Sequence, residues 1–481
     1  MRLLEIILFV FAITYAILFY VGYFERIKRI RYIGIIAAIF FLLHRVTEGT
    51  RWQMYPIYFI FVFIIILFIV ANIDFEIFKR IYDKKVLRIC SIIGFTILIF
   101  LSAVASYMFP LYNLMKPSGP YKIGTLSFDA VDMERIWLDK DNDYGGRKIR
   151  IQLWYPSDKV EGYEPSPWLE EGTEVADSIS RLVGLPEFLL RPTTMIKSNS
   201  YKGAPLSLTK EKYPIVIISH GLTGLRSLHT DLAEMLASNG YIVAAIDHTN
   251  VAAVTVFDDG EAAYLNSQVL SLGADREVFL SDGYKIMNVY SEDILFTIGI
   301  LEKINLDQES MFGGKLDLAS IGLIGHSAGG GAGVLTAQRD KRIKAIVSFD
   351  PWLEPLSSKA ISKGLNIPAL FLRSEQWKTD PNNKNLIPLL KSSKGYRELY
   401  QINGTTHLDF TMIYMYSPLS KPYGYSGKLD GSKNSLIRQD FVLNFFNEHL
   451  LIEETSIELD NILSKYPQEV EKIDYQKEES E

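Results

Sequence analysis

The chain has 481 residues, more than one ordinary domain holds. Its 50 Lys and Arg against 56 Asp and Glu leave a formal net charge of −6, which argues against a nucleic-acid partner. A single cysteine, Cys90, excludes an intramolecular disulfide and any metal site built from several thiolates.

Hydrophobic residues concentrate before Pro110, in four apolar runs at 6–24, 32–43, 55–73 and 89–109. The first, third and fourth are long enough to cross a bilayer; the second, taken alone, fits a buried or interfacial helix. Charge decides its assignment. Arg26, Lys28, Arg29 and Arg31 follow the first run, and Lys79, Arg80, Lys84, Lys85 and Arg88 follow the third, whereas residues 44–54 carry only Arg45 and Arg51. Basic loops stay on the cytoplasmic side. Both do so only if 32–43 also crosses. Residues 1–110 are therefore expected to be a membrane region of four helices in the cell membrane, with the bilayer as partner and everything after it extracytoplasmic. The first run lacks a small-residue cleavage site and is followed by basic residues, so it reads as an uncleaved anchor.

Residues 111–122 form a linker with Pro117, Gly119 and Pro120. The catalytic domain is expected over 123–451. Within 147–155 the apolar residues Ile149, Ile151, Leu153 and Tyr155 alternate, predicting a strand closed by Pro156. Residues 157–212 read as irregular. They contain a loosely amphipathic stretch, 178–190, that fits a lid, a membrane-touching helix or a helix packed on the core. From Tyr213 onward strands alternate with helices. Strands are expected at 214–219, 241–246, 344–349, 368–372 and 397–402, and helices at 227–239, 291–304 and 437–450. This predicts an α/β fold with a mostly parallel sheet and helices on both faces. Catalytic groups then belong at the carboxyl ends of the strands. Residues 452–481 are charged and read as a frayed tail.

The chemistry centres on residues 320–338, where a short apolar strand, the sequence Gly325-His326-Ser327-Ala328-Gly329 and a helix follow one another. This G-x-S-x-G pattern, set between strand and helix, presents a serine on a strained turn, which makes Ser327 the candidate nucleophile. A serine needs a base to take its proton, and histidine titrates near neutrality. In the order serine, acid, histidine only His407 and His449 are available. His449 lies late in a helix, whereas His407 sits on a loop just past a strand, so His407 is the expected base. Asp350 and Glu375 both close strands between Ser327 and His407; Asp350 is preferred, and Asp340 and Asp380 read as solvated charges. The oxyanion needs two backbone N–H donors. Ala328 supplies one, and Leu222 is chosen over Gly221 for the other. His220 reads as a ring that braces this loop.

Several stretches together resemble the platelet-activating factor acetylhydrolase family. They are Trp154-Tyr155-Pro156-Ser157, Ser219-His220-Gly221-Leu222, residues 236–245, Gly325-His326-Ser327, Phe349-Asp350-Pro351-Trp352, Phe371-Leu372-Arg373-Ser374-Glu375 and Gly404-Thr405-Thr406-His407. The resemblance spans roughly residues 120–450. It implies an α/β-hydrolase fold and a serine esterase without metal or cofactor, with the acid at Asp350 and an ester or phospholipid substrate carrying a short acyl group. The membrane region departs from the family's best-known members. A general carboxylesterase, lipase or dienelactone-hydrolase-like enzyme is the alternative within the same chemistry. A non-catalytic hydrolase-fold receptor or scaffold is the alternative outside it.

Overall fold

A computed structural model describes residues 1–21, 32–74, 76, 84–135, 145–271, 273–451 and 459–478. It divides into two compact units, Met1–Leu111 with Phe188–Pro192, and Tyr112–Glu187 with Thr193–Glu481.

The first unit holds α1 (Leu3–Val21), α2 (Ile33–Thr47), α3 (Tyr55–Ile73) and α4 (Lys85–Met108). Leu8, Ala12, Ile57, Ile60 and Phe61 are buried between the helices, while Val10, Ile17, Phe59, Ile66 and Phe100 face outward. Helices that are apolar on the outside as well as the inside suit a hydrocarbon surround. Leu3–Val21, Trp52–Ile73 and Lys85–Met108 are long and apolar enough to cross a membrane, with mean hydropathies of 2.4, 2.8 and 2.4. At 15 residues α2 falls short of that length, rising about 22 Å against a hydrocarbon core of about 30 Å. Of the basic residues that argued for its crossing, Arg26, Lys28, Arg29, Arg31, Lys79 and Arg80 lie outside the described residues.

The second unit is built on β1 (Lys122–Asp132), β2 (Arg147–Ser157), β3 (Pro165–Pro167), α5 (Thr173–Leu182), β4 (Lys197–Lys202), β5 (Tyr213–Ser219), α6 (Thr230–Ser238) and β6 (Ile242–Asp247). After a hairpin of β7 (Val254–Val256) and β8 (Ala262–Tyr264) come α7 (Arg276–Leu306), β9 (Leu316–His326), α8 (Ala328–Arg339) and β10 (Ile343–Phe349). The chain continues through α9 (Ser358–Lys363), β11 (Ala369–Ser374), α10 (Asn383–Ser392), β12 (Arg397–Ile402), α11 (Gly431–Phe446), α12 (Leu459–Leu463) and β13 (Val470–Lys472). Eleven of the described strands form one sheet in the order β13-β12-β11-β10-β9-β5-β6-β2-β1-β4-β3. From β12 to β6 all neighbours are parallel. β2 returns antiparallel between β6 and β1, and β13 is antiparallel to β12.

The central strands are apolar on both faces, which is why they read as continuous runs rather than alternations. Along β5, Ile215 and Ile217 belong to the core that holds Ile286 and Ile294 of α7 and Ala332 of α8. Val216 and Ile218 belong to the opposite core with Leu232 and Leu236 of α6 and Phe441 and Phe445 of α11. Every residue of β5 and β6 is buried. Helices on both faces leave the carboxyl ends of the strands as the open edge for a site.

Four expectations are corrected. Residues 157–212 are not irregular throughout, since they contain β3, α5 and β4. The helix expected from 291 begins at Arg276 and runs 31 residues; its first half is rich in polar residues and shows little apolar periodicity. The helix expected from 227 opens instead as a 3-10 turn, Arg226–His229. The tail is not frayed over its described part: α12 packs Leu459 and Ile462 into the core, and β13 pairs Val470 with Ile402. Residues 452–458 and 479–481 lie outside the described residues.

Candidate active site

Ser327 sits between the last residue of β9 and the first of α8, with φ 54° and ψ −116°. That conformation is one a side chain rarely adopts, and surrounding contacts must impose it. Ser327 N–H donates to Phe349 O at 3.0 Å, and Ser327 O accepts from Trp352 N–H at 2.8 Å and Gly330 N–H at 3.0 Å. Two glycines make the turn possible. A Cβ on Gly325 would lie 2.4 Å from Gly329 O, and one on Gly329 would lie 2.2 Å from Ser219 O.

Asp350 follows β10 and is fully buried. His407 Nδ1 lies 3.1 Å from its Oδ2. Ser374 holds the same carboxylate from the end of β11, with N–H to Oδ1 at 2.7 Å and Oγ–H to Oδ2 at 2.6 Å. Burial pushes the Asp350 carboxyl above its ordinary range, and the bonds from His407 and Ser374 oppose that shift. Glu375 is placed differently. It is exposed, and its Oε2 accepts Gly404 N–H at 2.6 Å, which ties down the loop that carries His407.

His407 opens a 3-10 turn whose start is fixed by a reciprocal cap between Thr406 and Asp409. Its ring stacks on Trp377, with centroids 4.2 Å apart and planes at 13°, and lies 4.5 Å from the ring of His326. His326 Nε2–H donates to His407 O at 3.0 Å. His326 precedes Ser327 directly, so this bond joins the serine's turn to the histidine's loop. Among the described residues no hydrogen bond joins Ser327 Oγ to His407; such bonds commonly tighten only with substrate in place. His449, the alternative base, lies instead against Tyr396 and Phe445, away from this cluster.

Of the two expected oxyanion donors, Ala328 directly follows the serine and Leu222 lies on the loop after β5. Ala328 opens α8, so its N–H belongs to the positive end of a helix. Leu222 follows Gly221, and a Cβ on Gly221 would lie 3.0 Å from Ser327 Cβ. His220 braces this loop: Nδ1–H donates to Gly221 O at 2.6 Å, and Nε2 accepts His248 N–H at 3.1 Å. Burial drives the His220 pKa down, so the ring is neutral, with its proton on Nδ1.

Behind His220 lies a buried polar group that sequence reasoning did not single out. His248 Nδ1–H donates to Asp293 Oδ2 at 2.9 Å, and Ser219 Oγ–H donates to His248 Nε2 at 2.8 Å. Arg147 grips Asp293 with both Nε and Nη2 at 2.6 Å. Burial pushes the Asp293 carboxyl up, but Arg147 overrides it and holds the carboxyl well below the ordinary carboxylate range. The sequence carried one signal for His248: it stands just past β6, at a carboxyl end of the sheet. Asp293, in mid-helix and 146 residues from Arg147, had none.

A cavity of about 240 Å³ adjoins the Gly221–Leu222 loop. Ile179 and Leu182 line it from α5 and Val183 from the residue after it, Leu225 and Leu228 line it as well, and His229 and Tyr416 add polar atoms to its wall. Among the described residues neither ring nitrogen of His229 nor the Tyr416 hydroxyl has a hydrogen-bond partner. The stretch 178–190 thus places its first half over this cavity.

A family model described as platelet-activating factor acetylhydrolase, isoform II, matches residues 107–470. The chain is 26% identical over 351 residues to a platelet-activating factor acetylhydrolase of Cavia porcellus, spanning 69% of this chain and 75% of that protein. It is 25% identical over 268 residues to a probable 1-alkyl-2-acetylglycerophosphocholine esterase of Arthroderma benhamiae, spanning 52% of this chain and 61% of that protein. The solved structure of a ferulic acid esterase from Streptomyces cinnamoneus superposes with a TM-score of 0.61 at 22% identity, covering 76% of this chain and 99% of that one. At that identity the likeness concerns the fold, a mostly parallel mixed sheet with flanking helices.

Proposed function

Because the chain belongs to the platelet-activating factor acetylhydrolase, isoform II, family, we propose that it removes short acyl groups from phospholipids at a membrane surface, with Ser327 as nucleophile, His407 as base and Asp350 as the acid that orients it. It is a carboxylic ester hydrolase. The observation that carries the finer reading is the His407 Nδ1–Asp350 Oδ2 contact of 3.1 Å beside the strained turn of Ser327.

In this reading His407 Nε2 takes the proton from Ser327 Oγ as the oxygen attacks the ester carbonyl. Buried Asp350 holds the imidazole in the tautomer with Nδ1–H and stabilises the imidazolium that forms. The negative charge that develops on the carbonyl oxygen meets the N–H groups of Leu222 and Ala328; each such donor contributes about 2.7–4 kcal/mol to the transition state. His407 then returns its proton to the leaving alcohol, and water repeats the sequence on the acyl-serine. The cavity beneath α5 takes the acyl chain, and its volume of about 240 Å³ suits a short one. The helices of the first unit anchor the chain in the membrane, with the hydrolase unit on the extracytoplasmic side, and so concentrate lipid substrate at the site.

The test uses full-length protein in phosphatidylcholine vesicles. Hydrolysis of 1-alkyl-2-acetylglycerophosphocholine is compared with that of a long-chain phosphatidylcholine and of a soluble acetate ester, for wild type and Ser327→Ala. A higher kcat/KM for the acetyl phospholipid, lost in Ser327→Ala, is expected. A consistent preference for the soluble ester would make the chain a general carboxylesterase, and retained turnover in Ser327→Ala would remove the serine mechanism.

A further inference from the structure

The buried group behind the oxyanion loop is larger than holding a loop requires, and its bonds converge on one atom. Gly221 O accepts three hydrogen bonds: from His220 Nδ1–H at 2.6 Å, from Gly224 N–H at 2.9 Å and from the Tyr290 hydroxyl at 3.4 Å. That carbonyl and the N–H of Leu222 belong to the same peptide group. A trans peptide is planar, with its C=O and N–H directed oppositely. Donors that fix the oxygen on the inner side therefore aim the Leu222 N–H to the other side. Gly221 brings this peptide against Ser327, since a Cβ there would lie 3.0 Å from Ser327 Cβ.

Each donor is itself held in place. His220 is fixed by His248 N–H on its Nε2. The ring of Tyr290 stacks on that of His248, with centroids 3.5 Å apart and planes at 13°. His248 is held at both nitrogens, by Asp293 at 2.9 Å and Ser219 at 2.8 Å. Asp293 is fixed in turn by Arg147 and by Arg135 Nη1 at 2.9 Å. Ser219, His248 and Asp293 repeat the bond order of a nucleophile, base and acid. All three are at most 1% exposed, so no substrate reaches them.

We propose that Asp293, His248 and Tyr290 are positioning residues for ester hydrolysis: acting through His220 and the Gly221 carbonyl, they aim the Leu222 N–H at the oxyanion. The proposal rests on the assignment of Leu222 as an oxyanion donor. A second consequence follows from the same bonds. Donors on a carbonyl polarise the whole peptide, which makes its N–H a stronger donor. The network thus sets both the direction and the strength of one half of the oxyanion site from residues that touch no reacting atom.

The variants Tyr290→Phe, His248→Gln and Asp293→Asn are made in the full-length protein in vesicles, and active sites are counted by stoichiometric fluorophosphonate labelling. An oxyanion donor removed outright costs about 100- to 1000-fold in kcat, so one merely mis-aimed should cost about 10- to 100-fold per labelled site, with KM nearly unchanged. Binding of an alkyl trifluoromethyl ketone, whose adduct with the serine carries an oxyanion, should weaken by the same factor. His220→Asn, whose side-chain amide can donate near the position of Nδ1, should recover most of the activity that His220→Ala loses. Where loss of the buried charge prevents Asp293→Asn from folding, Tyr290→Phe and His248→Gln decide the question. Unchanged kcat per labelled site in both, or a fall in kcat without matching loss of ketone affinity, would overturn the proposal. A wild-type protein that hydrolyses no ester would overturn the functional reading and this one with it, whereas an active wild type with unaffected variants overturns this one alone.

Discussion

His407 Nδ1 donates to Asp350 Oδ2 across 3.1 Å, while Glu375, the other strand-end acid, accepts the Gly404 N–H at 2.6 Å three residues upstream of the same histidine. The two carboxylates therefore hold one loop in different ways. Asp350 is wholly buried and bonded to the imidazole, and Glu375 is exposed and bonded to backbone. Asp350→Asn should lower kcat by about four orders of magnitude, because an amide no longer selects the Nδ1–H tautomer. Glu375→Gln keeps an acceptor for Gly404 and should retain most activity. Turnover of both variants, measured on folded protein, checks this; a dead Glu375→Gln beside an active Asp350→Asn would reverse the assignment.

Ser327 pays for its exposure with backbone strain. Its φ of 54° and ψ of −116° suit glycine far better than serine, and such a conformation costs about 1–3 kcal/mol. Ser327→Gly should therefore be inactive yet more stable than wild type, by about 1 kcal/mol after the added freedom of the unfolded chain is subtracted. Ser327→Ala should be equally inactive with no comparable gain. Thermal unfolding of the three proteins side by side distinguishes strain from a general effect of emptying the site. Equal melting temperatures for the glycine and alanine variants would show that the turn stores no such strain.

Burial of neutral histidines sets the acid limit of the hydrolase unit. Desolvation pushes His229 and His248 down to about 3, lowers His220, and holds His326 well below its ordinary range. In the unfolded chain each would take a proton near pH 6.5. Between pH 6.5 and about 3 the unfolded state thus binds more protons than the folded one, so stability is full above 6.5 and falls with pH below it, by about 1.4 kcal/mol per unit for each histidine fully protonated only on unfolding. Glu234, which burial pushes up to about 7, and Asp350, which burial also raises, each oppose this by one proton, so the four histidines outweigh them. Urea midpoints should drop steadily from pH 7 to pH 5. His229→Leu removes one of these protons, together with two buried ring nitrogens that lack partners among the described residues, so its midpoint should fall less steeply. A midpoint independent of pH over this range would show that the buried histidines do not set the acid limit.

The reach of sequence reasoning follows the range of the interactions involved. The turn at Ser327 was legible because its constraints are local: strand, glycine, serine, glycine and helix are contiguous, and β9 and α8 occur where that order requires. Of the two histidines after Ser327, His407 was singled out for its loop just past a strand, and it is the one that lies beside Asp350. The group around Asp293 was not, because Arg147, His248 and Asp293 come from β2, the end of β6 and α7, and nothing in their separate surroundings marks them as partners. The strand β13 was missed for a related reason. Its three residues include Glu471 and Lys472, and only pairing with β12 makes them a strand. In the loosely amphipathic stretch 178–190 the helix ends at Leu182, and the apolar residues divide between the cavity and the surface, a division that the sequence pattern alone does not set.

The side of the membrane that the hydrolase unit faces depends on α4 alone. The chain between α3 and α4 includes Lys79, Arg80 and Lys84, and Lys85 opens α4; a basic segment so close to two spans is expected to stay in the cytoplasm. In the proposed topology one crossing by α4 then puts the hydrolase unit outside, whatever α2 does. In a Cys90→Ser background, Asp158→Cys, at an exposed position past β2, should react with an impermeant maleimide on intact cells. Lys84→Cys, at an exposed position before α4, should react only after the membrane is permeabilised. The opposite pattern would place the catalytic unit in the cytoplasm. The 15 residues of α2 need a separate probe. A cysteine added before Met1 should label from outside if α2 crosses, because four spans return both ends to one side. If α2 lies in the interface instead, only three spans remain, and that cysteine is protected while Asp158→Cys still labels.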